Sequence, residues 1–155
     1  MPDGAFAQLF YDSQGLTDAS GLVLDSDTLS QSCYGAMFAG CTLLTSAPAL
    51  SATTLAAYCY SAMFMGCHNL TSAPALPATT LPTYCYNKMF SNCEKLSSVE
   101  VAFDAWPSGT IGSNYPTYEW LDGVAASGTF TCPAALDTTT RDGTHVPADW
   151  TVVTK

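Results

Sequence analysis

CYGAMFAGCTLLTSAPALSATTLAAY at residues 33–58 is followed at once by CYSAMFMGCHNLTSAPALPATTLPTY at 59–84. Nineteen of the 26 positions are identical. A third copy opens at Cys85 as CYNKMFSNCEKLSSVEVAF and then degenerates. A divergent copy precedes the pair, with FAQLFYDSQGLTDASGL at 6–22 matching YGAMFAGCTLLTSAPAL at 34–50, offset by 28 residues instead of 26. A unit this short cannot bury its own apolar face and must stack on its neighbours, so four tandem copies predict a solenoid. The expected coils are 6–32, 33–58, 59–84 and 85–103.

Within a unit, Cys59, Met63 and Cys67 recur at i, i+4 and i+8 with Tyr60 and Phe64 beside them, the spacing of one face of a short helix. Gly40, Gly66 and Asn92 stand where that helix would end. Leu44, Ala47 and Ala49 then read as a short strand with small inward residues, and Pro48 with Ala52-Thr53-Thr54-Leu55 as an extended return. The expected fold class is an α/β repeat: short parallel strands in a ladder, one short helix per coil, and an interior holding Cys41, Cys67 and Cys93 in one column and Phe38, Phe64 and Phe90 in another.

The run of Phe38, Phe64 and Phe90, Cys three residues on, and Leu44, Leu70 and Leu96 three further resembles the BspA-like leucine-rich repeats of bacterial surface proteins over about residues 6–103. Ala47-Pro48-Ala49 stands where aliphatics are commoner in that family, and the second Cys at 33, 59 and 85 is a further departure. The resemblance implies a leucine-rich-repeat solenoid that, as part of a cell-surface adhesin or other host-interaction protein, recognises a protein or glycan. Residues 104–155 carry Trp106, Trp120, Leu121, Val124 and Phe130 among Gly, Pro, Ser and Thr, and read as an irregular C-terminal capping segment of the same domain. The tail HVPADWTVVTK reads as a final strand.

Composition narrows the function. The 155 residues are 48% hydrophobic and only 11% charged, and 13 acidic against 4 basic residues give a net charge of -9. A nucleic-acid partner needs clustered Lys and Arg, and Lys88, Lys95, Arg141 and Lys155 form no patch in sequence. No apolar run approaches the ~20 residues of a membrane span, and MPDGA lacks the regions of a signal peptide. The resemblance implies an extracellular or cell-surface location, reached as a piece of a longer protein with its signal upstream. The alternative is a protein acting without export in the cytoplasm or a virion, as a structural or assembly subunit of a larger particle such as a phage decoration or fibre protein.

No residue pattern calls for a cofactor or a metal. The seven cysteines lack a CxxC or His-Cys cluster. They read either as a buried thiol ladder or as bridges Cys33–Cys41, Cys59–Cys67 and Cys85–Cys93, since the first unit lacks both members together (Ala5 and Ser13). Against bridges, eight residues of continuous helix separate two Cα atoms by roughly 12 Å, whereas a disulfide needs about 4.4–6.8 Å. No catalytic residues are expected. His68 shares a repeat slot with Thr42 and Glu94, Asp25 and Asp27 are isolated loop residues, and a Cys132, His145, Asp149 grouping lacks an activated-nucleophile motif.

The binding residues expected on the outward strand face are Asp18, Ser20, Ser46, Pro48, Ser72, Pro74, Ser98 and Glu100, a shallow, weakly acidic strip rich in hydroxyls. The alternative surface is the set of positions where the coils differ on a fixed scaffold: Thr42, His68 and Glu94.

Overall fold

The computed structural model describes residues 1–155. It contains three short strands and no helix: β1 (Ser98–Glu100), β2 (Thr129–Cys132) and β3 (Thr151–Thr154). They form one parallel sheet in the order β1-β2-β3, with Val99 opposite Phe130 and Phe130 opposite Val152.

The short helices expected at the Cys-Tyr-Met-Phe segments do not form, and the hydrogen bonds give the reason. Gly35, Met37, Ala39 and Cys41 donate their N–H groups three residues back, to Ser32, Tyr34, Ala36 and Phe38. The alternate residues Tyr34, Ala36, Phe38 and Gly40 donate instead to the carbonyls of Cys59, Ser61, Met63 and Met65 in the next unit, at 2.8–3.0 Å. An α-helix would spend every one of these groups on itself; a ribbon of consecutive turns leaves half of them to join neighbours. Such a ribbon needs a left-handed residue every fourth position, and Ser32, Ala36 and Gly40 have φ of 54°, 51° and 77°. Tyr58, Ala62 and Gly66 repeat this, as do Tyr84, Lys88 and Asn92. The spacing i, i+4, i+8 is therefore the ribbon's own period of four. On a helix the same three residues would drift by about 40° at each step.

The period of four sends two residues in every four inward. Cys33, Tyr34, Met37, Phe38 and Cys41, with their counterparts in the next two units, are all buried. Phe10, Phe38, Phe64 and Phe90 stack with ring centroids 5.3, 5.4 and 5.6 Å apart, and the last three rings are parallel to within 1°. Phe6, Tyr34, Tyr60 and Tyr86 make a second column at 5.8–6.1 Å. Each unit thus covers the rings of the one before it, and Leu44, Leu70 and Leu96 fill the same slot in successive units at 0% exposure.

On the strand side, Asp18 bridges Ser46 and Ser72 bridges Ser98 in parallel, but Ser46 and Ser72 do not bridge each other. The expected ladder is interrupted there. Pro48, expected to project outward, is buried, and Ala49, expected inward, is exposed. Proline has no N–H to give to a ladder and fixes its own φ, so the period-two alternation fails at Ala47-Pro48.

The C-terminal segment is more regular than an irregular cap. Tyr86, Lys88, Phe90 and Asn92 donate to the carbonyls of Pro116, Tyr118, Trp120 and Asp122, as one unit donates to the next elsewhere. Glu119 and Gly123 are again left-handed, φ 51° and 69°, four residues apart. β1 and β2 pair 31 residues apart, so this further unit has the earlier register lengthened between Phe103 and Pro116. Trp120 is fully buried and stacks on Tyr86 at 6.1 Å. The tail forms the final strand, β3, and Leu121 N–H is taken by the Gly143 carbonyl. The opposite end is open: the carbonyls of Ala5, Ala7, Leu9 and Tyr11 accept no hydrogen bond within the chain, and Phe6, Leu9 and Tyr11 are exposed.

Candidate binding surface

Of the strand-face positions, Asp18, Ser20, Ser72, Ser98 and Glu100 are exposed, Ser46 and Pro74 half-buried, and Pro48 buried. The two carboxylates are engaged locally. Asp18 Oδ1 accepts the Ser20 N–H at 2.8 Å, which holds its carboxyl below the usual range, and Glu100 pairs with Lys155. The Ser20 hydroxyl also bonds the Asp18 carboxylate, so what remains free on this face is the hydroxyls of Ser72 and Ser98.

The alternative positions lie along a line of polar side chains that crosses the units. Gln14 Nε2 donates to the Gly40 carbonyl and Thr42 Oγ1 lies 2.9 Å from Gln14 Oε1. Asn69 Nδ2 then donates to the Thr42 carbonyl at 2.8 Å, and Lys95 Nζ to Asn69 Oδ1 at 2.6 Å. His68 and Glu94 stand exposed beside this line, while Thr42 is half-buried within it. Thr42 therefore has a bonding role as well as a variable identity.

The middle of both faces, between Asp18 at one end and Glu94, Lys95 and Glu100 at the other, lies on an uncharged band that can be read in the sequence yet is hidden by the overall charge. Residues 28–87 contain no Asp, Glu, Lys or Arg, so the net charge of -9 belongs wholly to the two ends of the chain. A partner meeting the middle of the stack meets mostly Ser, Thr, Ala and Pro, with Leu43, Tyr58 and His68 exposed among them.

The groups that could carry chemistry are placed otherwise. All seven cysteines are free and buried. Cys41, Cys67 and Cys93 each lie with Sγ 3.1–3.2 Å from a Phe carbonyl of the preceding unit, those of Phe10, Phe38 and Phe64. Burial pushes the Cys59 and Cys93 thiols up to about 12, and those of Cys67 and Cys85 higher still. Thiols so raised stay protonated and are poor nucleophiles. Cys132 is buried at the end of β2 and its thiol is raised by burial. The His145 ring pairs with Asp142, Nδ1 to Oδ1 at 2.9 Å, and packs edge-on to Trp106 at 4.9 Å, so the imidazole serves the terminal packing. Burial alone would raise the Asp142 carboxyl, but the His145 side chain and the N–H groups of Thr144 and His145 outweigh it and hold the group low. No three His, Cys, Asp or Glu side chains gather as metal ligands would, and no helix is long and apolar enough to cross a membrane.

No family model, curated protein or solved structure matches this chain.

Proposed function

We propose that the chain is a leucine-rich-repeat solenoid of the BspA-like kind and acts as a non-catalytic binding module for a protein or glycan at a cell surface. The observation that carries this is the uncharged, hydroxyl-bearing band over residues 28–87, presented by units whose interior is fixed by stacked Phe and Tyr columns. Repeat stacks of this kind offer extended surfaces that bind through their variable outward positions while the scaffold stays constant. The reading is tested by screening the purified chain on glycan arrays and extracellular-matrix proteins, then repeating any hit with Ser72→Lys and Thr42→Lys. Loss with Ser72→Lys places the ligand on the strand face, and loss with Thr42→Lys alone places it on the unit-crossing polar line. A chain that retains nothing on either screen contradicts the reading.

A second reading, assembly into a larger particle, is favoured by the open first unit. A row of acceptor-only carbonyls at Ala5, Ala7, Leu9 and Tyr11, beside exposed Phe6 and Leu9, is the face that every later unit covers with its predecessor's N–H groups. Sedimentation equilibrium of the chain and of Leu9→Lys separates the readings. Association abolished by Leu9→Lys supports assembly, and a monomer at every concentration favours the free binding module.

A further inference from the structure

Where the register lengthens from 26 to 31 residues, the extra chain is not spread around the unit; it forms a loop between Phe103 and Pro116. Insertions in repeat stacks commonly build the binding face, because the repeated core leaves them free to vary. This loop stands against the return segment of the third unit and encloses with it a cleft of about 470 Å³, within the ~300–1,000 Å³ of small-ligand sites. Thr79, Thr80 and Thr83 line one side, and Ser108, Thr110 and Asn114 the other. The loop is tied down at both ends: Trp106 Nε1 donates to the Asp137 carbonyl, and Tyr115 Oη to the Pro107 carbonyl at 2.7 Å. The wall is therefore set before any ligand arrives, which lowers the ordering cost of binding.

We propose that this cleft is a binding site for a neutral oligosaccharide, a proposal that rests on the binding-module reading. None of its lining residues is charged. An anionic ligand would find no Lys or Arg to balance it on a chain of net charge -9, and a cationic one no carboxylate in the cleft. A peptide needs a desolvated pocket for an anchoring side chain, and Thr, Ser, Asn and Gly make up seven of the 13 lining residues. Hydroxyls and one amide on both walls match the alternating donors and acceptors of sugar hydroxyls. Leu81, Pro82 and Pro107, each half-buried, supply the aliphatic surface on which the C–H face of a pyranose ring can lie. Each polar group of such a ligand can find a partner without an ion being desolvated.

The test is isothermal titration of the full chain with neutral hexasaccharides of the β-glucan, α-glucan, xylan, mannan and chitin types, with an oligogalacturonate as the charged control. The expected result is a Kd below about 1 mM for at least one neutral sugar, at least tenfold weaker binding of the oligogalacturonate, and at least tenfold loss on Thr80→Arg and Asn114→Arg with Val23→Lys, an exposed position of the first unit outside the cleft, unchanged. Both cleft residues are exposed, and an unaltered circular dichroism spectrum verifies the fold of each variant. No binding across the neutral panel overturns the cleft while leaving a protein ligand for the module open. Binding that survives Thr80→Arg and falls with Ser72→Lys also overturns it, and moves the sugar to the strand face.

Discussion

Phe64 is the most direct place to ask what one side chain does here. Its ring lies between those of Phe38 and Phe90 at 5.4 and 5.6 Å and is fully buried, so Phe64→Ala removes the middle of a column and leaves a cavity that two flanking units must collapse to fill. The expected cost is about 3–5 kcal/mol in urea denaturation; a loss under about 1 kcal/mol would mean the column is not core. The cysteines form two separate columns, with Cys59 neighbouring Cys33 and Cys85, and Cys67 neighbouring Cys41 and Cys93. The chain should titrate with seven free thiols when denatured without reductant and with few while folded, and a denatured count near one would restore the paired reading. These thiols also set an alkaline limit. Those of Cys59 and Cys93 ionise near 9.0 in the unfolded chain but are pushed by burial to about 12 in the folded one. Between those values the unfolded chain releases protons that the folded chain keeps. The stabilising difference is thus complete below pH 9 and lost as pH rises towards 12. The urea midpoint should fall across that window, and a midpoint that holds steady would contradict the burial.

At the scale of the element, the question is ribbon against helix, and one substitution has opposite signs in the two. Ala62 sits at φ 54°, in the left-handed region. In a helix interior Ala→Gly costs roughly 1 kcal/mol. In the ribbon, glycine relieves a conformation that disfavours a Cβ by about 1–2 kcal/mol, so Ala62→Gly should leave stability unchanged or raise it. A loss of about 1 kcal/mol on chemical denaturation would favour the helix. This element also marks where the sequence could be read and where it could not. Which residues go inside was legible from Cys, Met and Phe recurring in register, because burial depends on that recurrence alone. The backbone was not legible, since a drift of about 80° over eight residues still leaves all three positions on one broad helix face. Gly40, Gly66 and Asn92 at the left-handed positions separate ribbon from helix, together with the Ala36 and Ala62 column, whose φ no sequence pattern announces. On the strand face, Pro48 interrupted an alternation that would otherwise have placed the outward residues correctly.

At the scale of the molecule, the unit at 116–132 escaped the sequence reading because its Cys and Phe columns are replaced. Pro116 and Leu121 are buried there in the slots of Cys85 and Phe90, and the lengthened loop breaks the 26-residue register. The cleft was illegible for the same reason, since it joins Thr80 to a loop that follows no repeat. The central claim is that units 33–58 and 59–84 are interchangeable stacked layers, joined to their neighbours by the same amides and rings. Deleting Cys59–Tyr84 tests this, because it leaves Tyr58 to precede Cys85 as Tyr84 does and brings the Phe38 and Phe90 columns together. Urea denaturation followed by the fluorescence of Trp106, Trp120 and Trp150 should show the shortened chain folding cooperatively at a lower midpoint. Deleting only Cys59–Thr71, half a unit, should abolish folding by throwing every column out of register. If loss of the whole unit unfolds the chain as completely as loss of half of one, the units are not stacked layers and the account is wrong.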